Sequence, residues 1–237
     1  MKKLNKKITA ITNLVLVAIF SVVVAVSFVP SPTVPIYGGK GVSAIYHGNR
    51  ENANVSFMVN VYEGADVVEK MVETFDSFGV KATFFVGGCW ADDNEFTLKK
   101  IVNSGHELAN HGYFHKDHKK LSFEKNKEEI SNNGVIVKAL CGVKMDLFAP
   151  PSGSFSESTL EACSDLGYKL IMWSKDTIDW RDKDARLVFS RATKNPSNGD
   201  LILMHPKEHT LSVLGDIIKF YKDAGFNIVT VSNNIAE

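Results

Sequence analysis

The chain has 237 residues and carries 27 basic and 27 acidic side chains, so its formal charge is zero. That balance gives no field for capturing nucleic acid, and the length suffices for one medium domain with its own core. Cys89, Cys141 and Cys163 are too few and too far apart for a zinc motif or a disulfide framework. One bridge at most is open to them, and three small buried hydrophobes is the plainer reading.

The amino terminus comes first in chain order. Lys2, Lys3, Lys6 and Lys7 precede an uncharged, largely apolar run from Ile8 to Val29. Such a run matches the ~20 residues a bilayer-spanning helix needs and exceeds the usual core of a cleavable signal peptide. We expect a signal anchor over residues 1–29, with the lysines cytoplasmic and the remainder outside the membrane. Ala25-Val26-Ser27 leaves a small-residue cleavage site, and hence secretion, as the alternative. Pro30, Pro32 and Pro35, followed by Gly38, Gly39 and Gly41, read as a linker over residues 30–53. One added strand is expected near Ser43–Tyr46.

From residue 54 to 237 short apolar runs alternate with helical periodicity. Val55–Val61 is a predicted strand. Val67–Phe78 has helical spacing and stops at Gly79. Ala82–Val86 is a buried strand, Glu95–Val102 a helix ending near Gly105, and Glu107–Asn110 a β-like stretch. Phe123–Leu140 is a long helix, Leu147–Ala149 a short strand, and Glu157–Leu166 a helix closed by Gly167. Tyr168–Trp173 is a strand and Ala185–Thr193 a helix. Asp200–Met204, Leu211–Ala224 and Phe226–Val231 complete the pattern as strand, helix and strand. The alternation predicts an α/β fold with a parallel sheet, closing as an irregular (β/α) barrel of about seven strands.

In such barrels chemistry gathers at the C-terminal ends of the strands, and the polar candidates fall there. Tyr62 and Glu63 follow the first strand, His111 and His115 the third, and Pro150-Pro151-Ser152-Gly153 the fourth. Asp176, Asp179 and Trp180 follow the fifth, and His205 the sixth. On a helical turn His111 and His115 would share one face. With Glu63 they make a normal ligand set for a catalytic divalent metal, zinc by donor type, with a position left open. His205 alone reads as a hydrogen-bonded core histidine; opposite a metal it becomes a proton donor, its ring held by Asp176 or Asp179. Those aspartates also suit turn or helix caps. Trp173 and Trp180 fit a sugar groove or the core equally well.

The chain from about Val55 to Val231 resembles the polysaccharide deacetylases, carbohydrate esterase family four. Five segments carry the likeness in order: Lys81-Ala82-Thr83-Phe84-Phe85-Val86, Gly105 to His115, Ala149-Pro150-Pro151-Ser152-Gly153, Asp176-Thr177-Ile178-Asp179-Trp180 and Leu203-Met204-His205. The resemblance implies a metal-dependent hydrolase that removes acetyl groups from amino-sugar polymers such as peptidoglycan or chitin-like glycans. It implies metal ligands at Glu63, His111 and His115, catalytic roles at His205, Asp176, Asp179 and Tyr62, and oxyanion or substrate contacts at Ser152, Pro151, Trp180 and Trp173.

Two positions depart from the family pattern. Where the family has threonine-phenylalanine-aspartate-aspartate-glycine, this chain has Asn60-Val61-Tyr62-Glu63-Gly64, which puts a tyrosine in place of the general base. A tyrosine with a pKa near ~10 is protonated at neutral pH, and a positioned base contributes ~10²–10⁴ in rate. Ala149 replaces the arginine that clamps that base, and the two changes are coherent: no base, no clamp. Asp66 is a candidate substitute base, with helix N-terminal capping as its plainer role. Two readings follow: an envelope deacetylase of low or altered activity, and a catalytically impaired glycan-binding or scaffold protein.

Overall fold

A computed structural model describes residues 43–236 of the chain. The expected anchor of residues 1–29 and most of the expected linker lie outside the described residues. Among the described residues no helix is long and apolar enough to cross a membrane.

Strand β1 (Asn54–Val61) is the centre of the fold. Strand side chains alternate between faces, and here the alternation separates two cores. Val55, Phe57, Val59 and Val61 are fully buried on the outer face. Helices α1 (Ala65–Ser77) and α3 (Glu95–Asn103) cover that face through Met71, Val72, Phe75, Leu98 and Ile101. Met58 points the other way, into a small interior cluster with Phe85, Ala109, Leu147, Ala149, Ile171, Leu201 and Val231. Full burial of each valine, leucine, isoleucine, methionine or phenylalanine among them contributes about 1.5–3 kcal/mol.

The remaining strands are β2 (Thr83–Val86), β3 (Glu107–Asn110), β4 (Leu147–Phe148), β5 (Lys169–Leu170), β6 (Lys175–Asp176), β7 (Asp200–Met204) and β8 (Asn227–Ile228). They pair in the order β5-β4-β3-β2-β1-β7-β6, with β8 added beside the start of β1, and every pairing is parallel. The sheet is a half-barrel rather than a hydrogen-bonded ring. Residues 171–174 carry the chain from β5 on one edge to β6 on the other.

The expected strand Tyr168–Trp173 is thus cut short, and β6 is a strand that the sequence pattern missed. The cause is a change of partner. Ile171 N donates to Phe148 O at 2.8 Å, Met172 N to Ile45 O at 2.7 Å, and Ser174 N to Leu201 O at 3.0 Å. Ile45, from the strand expected near Ser43–Tyr46, forms a single parallel bridge to Ile171.

Helix α2 (Gly88–Asp93) also escaped the pattern, since six residues give too little periodicity. Helices α4 (Phe123–Cys141), α5 (Glu157–Leu166) and α6 (Ala185–Thr193) lie where expected. Helix α7 (Glu208–Asp223) begins at Glu208, ahead of the expected Leu211, because Lys207 O accepts from Thr210 N and Leu211 N. The final strand stops at Ile228. Val231 opens a short helix α8 (Val231–Asn234), its amide donating to Thr83 Oγ1 at 2.8 Å.

Candidate functional site

A cavity of about 390 Å³ opens where the strands end. Its lining includes Asn60, Tyr62, His111, Ser152, Asp176 and His205, and also Glu63, His115, Trp173, Trp180 and Lys207. The alternation of β1 accounts for two of these. Asn60 and Tyr62 continue the inward face of Met58. His111 continues β3 past the inward Ala109, and His205 continues β7 past the inward Leu201 and Leu203.

On one side of the cavity His205 is held by Asp179. The ring Nδ1 donates to Asp179 Oδ1 at 2.7 Å, and the backbone amide of His205 donates to Oδ2 at 2.7 Å. Thr210 Oγ1 adds a third donor to Oδ2 at 2.7 Å. Burial of Asp179 pushes its carboxyl up, but the His205 ring, the Thr210 hydroxyl and the His205 amide together hold it below the usual carboxylate range. Nδ1 is a donor in this arrangement, so Nε2 is the ring atom left for chemistry. Asp176 does not hold the imidazole: its Oδ1 accepts the amide of Ile178 at 2.7 Å, stabilising the left-handed turn at Ile178 (φ 54°) that leads to Asp179.

The opposite side carries the two other histidines. They stand on an irregular loop, not on a helical turn, with Gly112 at φ 75° and His115 at φ 54°. The loop still brings the rings together, their centroids 5.1 Å apart. His111 Nδ1 donates to Ala149 O at 2.8 Å, which leaves Nε2 with a free lone pair. Burial first, and then the neighbouring His115, push the His111 pKa down to about 3, so it is neutral. Burial lowers His115 as well. Both rings are therefore in the ligand-competent form.

Glu63 does not complete the expected metal set. Its carboxylate is bonded to the Lys207 ammonium. That bond and the Lys207 charge hold its pKa below the ordinary glutamate value. Among the described residues no group of three His, Cys, Asp or Glu is placed to hold a metal ion. The two imidazoles fit a divalent metal; the three-ligand set does not, because an internal cation has taken the carboxylate.

Tyr62 packs its ring over His115, centroids 4.8 Å apart. Burial, followed by Cys89, raises its pKa above the usual phenol value, so it stays protonated and cannot act as the base. Its place depends on Gly87, where a Cβ would lie 2.3 Å from Tyr62 Cδ2.

Of the residues singled out in the sequence, Tyr62, Glu63, His111, His115, Ser152, Trp173, Asp176, Trp180 and His205 share this cavity. Asp179 stands behind His205, and Pro151 is buried behind the wall in a 3-10 turn. Asp66 lies outside, exposed in the first turn of α1. It makes no capping bond, and Gly64 is the N-cap. Ala149 is fully buried in the interior cluster. Asn60 and Lys207 were missed. The period-two continuation from Tyr62 would have found Asn60; nothing in the linear sequence marks Lys207 beyond its closeness to His205.

The polysaccharide deacetylase family profile matches residues 50–171. An uncharacterised Bacillus subtilis protein, YlxY, is 36% identical over 81% of this chain and 60% of its own length. This chain thus spans less than two thirds of that relative. A Bacillus cereus peptidoglycan-N-acetylglucosamine deacetylase is 27% identical over 78% of this chain and 70% of its own. A solved carbohydrate esterase family 4 pseudoenzyme from Bacillus anthracis superposes with a TM-score of 0.80 at 30% identity, covering 82% of this chain and 69% of that one. With the histidine loop, the buried aspartate behind His205 and the parallel half-barrel all in place, the chain belongs to the polysaccharide deacetylase family.

Proposed function

We propose that this protein takes N-acetylated amino-sugar polymers of the cell envelope, peptidoglycan or chitin-like chains, into the cleft that Trp180 lines, and that it removes their acetyl groups slowly or not at all. The observation that carries this reading is the Glu63–Lys207 pair, which withdraws the carboxylate from the two histidines. Tyr62 and Ala149 point the same way. A protonated phenol stands where a base is needed, and the buried Ala149 stands where an arginine would orient one. Trp173 and Trp180 supply apolar faces for sugar rings, and the likeness to a pseudoenzyme of the same fold supports an impaired site. The expected anchor of residues 1–29 would hold the domain at the outer membrane surface, where such polymers lie.

The second reading is a working metal-dependent deacetylase. The His205–Asp179 arrangement favours it, since an oriented imidazole can protonate a departing amine, and Ser152 lines the wall where an oxyanion would form. Acetate release and binding, measured together on N-acetylated chitin and peptidoglycan oligomers with the full-length protein, separate the two. Binding with negligible release supports the first reading; release at the pace of ordinary deacetylases establishes the second and overturns the first.

A further inference from the structure

We infer that Lys207 is the resident cation of this cleft. Its ammonium neutralises Glu63 in place of a divalent metal and, with the Asn60 amide, receives the acetamido group of the ligand. The inference rests on the glycan-binding reading above for its ligand, and on this chain's own geometry for the cation.

Three observations converge on it. Lys207 lines the same cavity as Glu63, His111 and His115, and it has bonded the carboxylate expected to join the two imidazoles. An ammonium has three donors. Glu63 takes one, and the Lys207 side chain makes no other hydrogen bond among the described residues. Asn60, only 5% exposed, lines the cavity with its Oδ1 lacking any partner. Buried polar atoms without partners are rare and call for one. An acetamido group offers the complement: a carbonyl oxygen for the lysine and an N–H for the asparagine oxygen. The cleft thus holds a cation and a donor–acceptor pair for that group without any metal.

Two titrations of the full-length chain test this. In the first, Zn2+ is titrated calorimetrically into wild type and into Lys207→Met. The variant should gain about tenfold or more in zinc affinity, and Glu63→Gln placed on the Lys207→Met background should remove the gain. Equal zinc affinity in wild type and Lys207→Met overturns the inference. In the second, an N-acetylated glucosamine tetramer is titrated with EDTA present. Wild type should bind it as tightly as without EDTA, and Lys207→Met should bind about tenfold more weakly. Binding abolished by EDTA overturns the inference while leaving the glycan reading intact. Absence of binding under all conditions defeats the glycan reading, and the zinc titration then decides the role of Lys207 alone.

Discussion

His205 and Asp179 are joined twice, ring Nδ1 to Oδ1 and backbone amide to Oδ2, each at 2.7 Å. One carboxylate thereby fixes both the orientation of the imidazole and the backbone from which it springs. Because Asp179 is 1% exposed, its charge is affordable only through these bonds and the Thr210 hydroxyl. This half of the site is over-determined, whereas the Glu63 half has been diverted.

Asp179→Asn keeps the shape but turns one acceptor oxygen into a donor, so one of the three donors around Asp179 loses its partner. A loss of about 1–3 kcal/mol is expected. The folded pKa of Asp179 is depressed, so its contribution is fully present above the unfolded value of ~3.9 and is lost as pH falls through the folded value. Urea unfolding between pH 2.5 and 6 should show a shallower acid limb in Asp179→Asn than in wild type. Identical limbs would mean that the carboxylate is not held as described.

His106 sets a second pH window. Its ring lies between Phe75 and Phe84, centroids 5.7 and 5.3 Å away, and Nδ1 accepts the Ala82 amide at 3.1 Å. Burial drives its pKa down to about 4, outweighing the attraction of Asp76, whose Oδ1 is 3.6 Å from Nε2. The folded state refuses a proton that the unfolded chain accepts below ~6.5. Its contribution is complete above that value and falls by up to about 1.4 kcal/mol per pH unit down to the folded pKa. His106→Asn, which retains an acceptor for Ala82, should flatten the stability profile between pH 4.5 and 6.5. An unchanged slope would show that the ring is protonated in the fold.

Much of this was legible in the sequence, for physical reasons. The alternation of β1 places Val55, Phe57, Val59 and Val61 outward, and the strand ends locate Tyr62, His111 and His205. The rest depended on partners distant in the chain. Tyr168–Trp173 reads as one strand because what divides it is a change of backbone partner from Phe148 to Ile45 to Leu201, all distant in the chain. His111 and His115 have helical spacing, yet they converge through a left-handed loop that local pattern does not encode. The direction of the Glu63 carboxylate is a rotamer choice made by Lys207, and no periodicity reports it.

Glu129 on α4 holds that histidine loop. Its Oε2 accepts the amides of Tyr113 at 3.1 Å and Phe114 at 2.8 Å, and the residue is 8% exposed. Glu129→Ala orphans two amides, with a cost of about 2–4 kcal/mol, whereas Glu129→Gln keeps an acceptor and should lose about half as much. Hydrogen exchange at Tyr113 and Phe114 should accelerate in the alanine variant ahead of the barrel strands. Uniform acceleration would assign Glu129 to global stability instead of to the loop.

Tyr62→Asp returns a carboxylate to the position of the missing base, but Lys207 would stand ready to pair with it as well as with Glu63. The single change is therefore expected to raise acetate release from an N-acetylated oligomer only slightly. Combined with Lys207→Met in the presence of Zn2+, it should raise release by about 10²-fold, the lower end of what a positioned base supplies. Adding Ala149→Arg is expected to cost stability. That side chain is fully buried among Met58, Phe85 and Ile171, where extra volume alone costs about 1–3 kcal/mol, and a guanidinium without a partner costs more. Thermal melts recorded beside the acetate assay separate lost folding from lost chemistry. If Tyr62→Asp alone matches the double variant, Lys207 does not obstruct the site and the missing base is the whole of the defect.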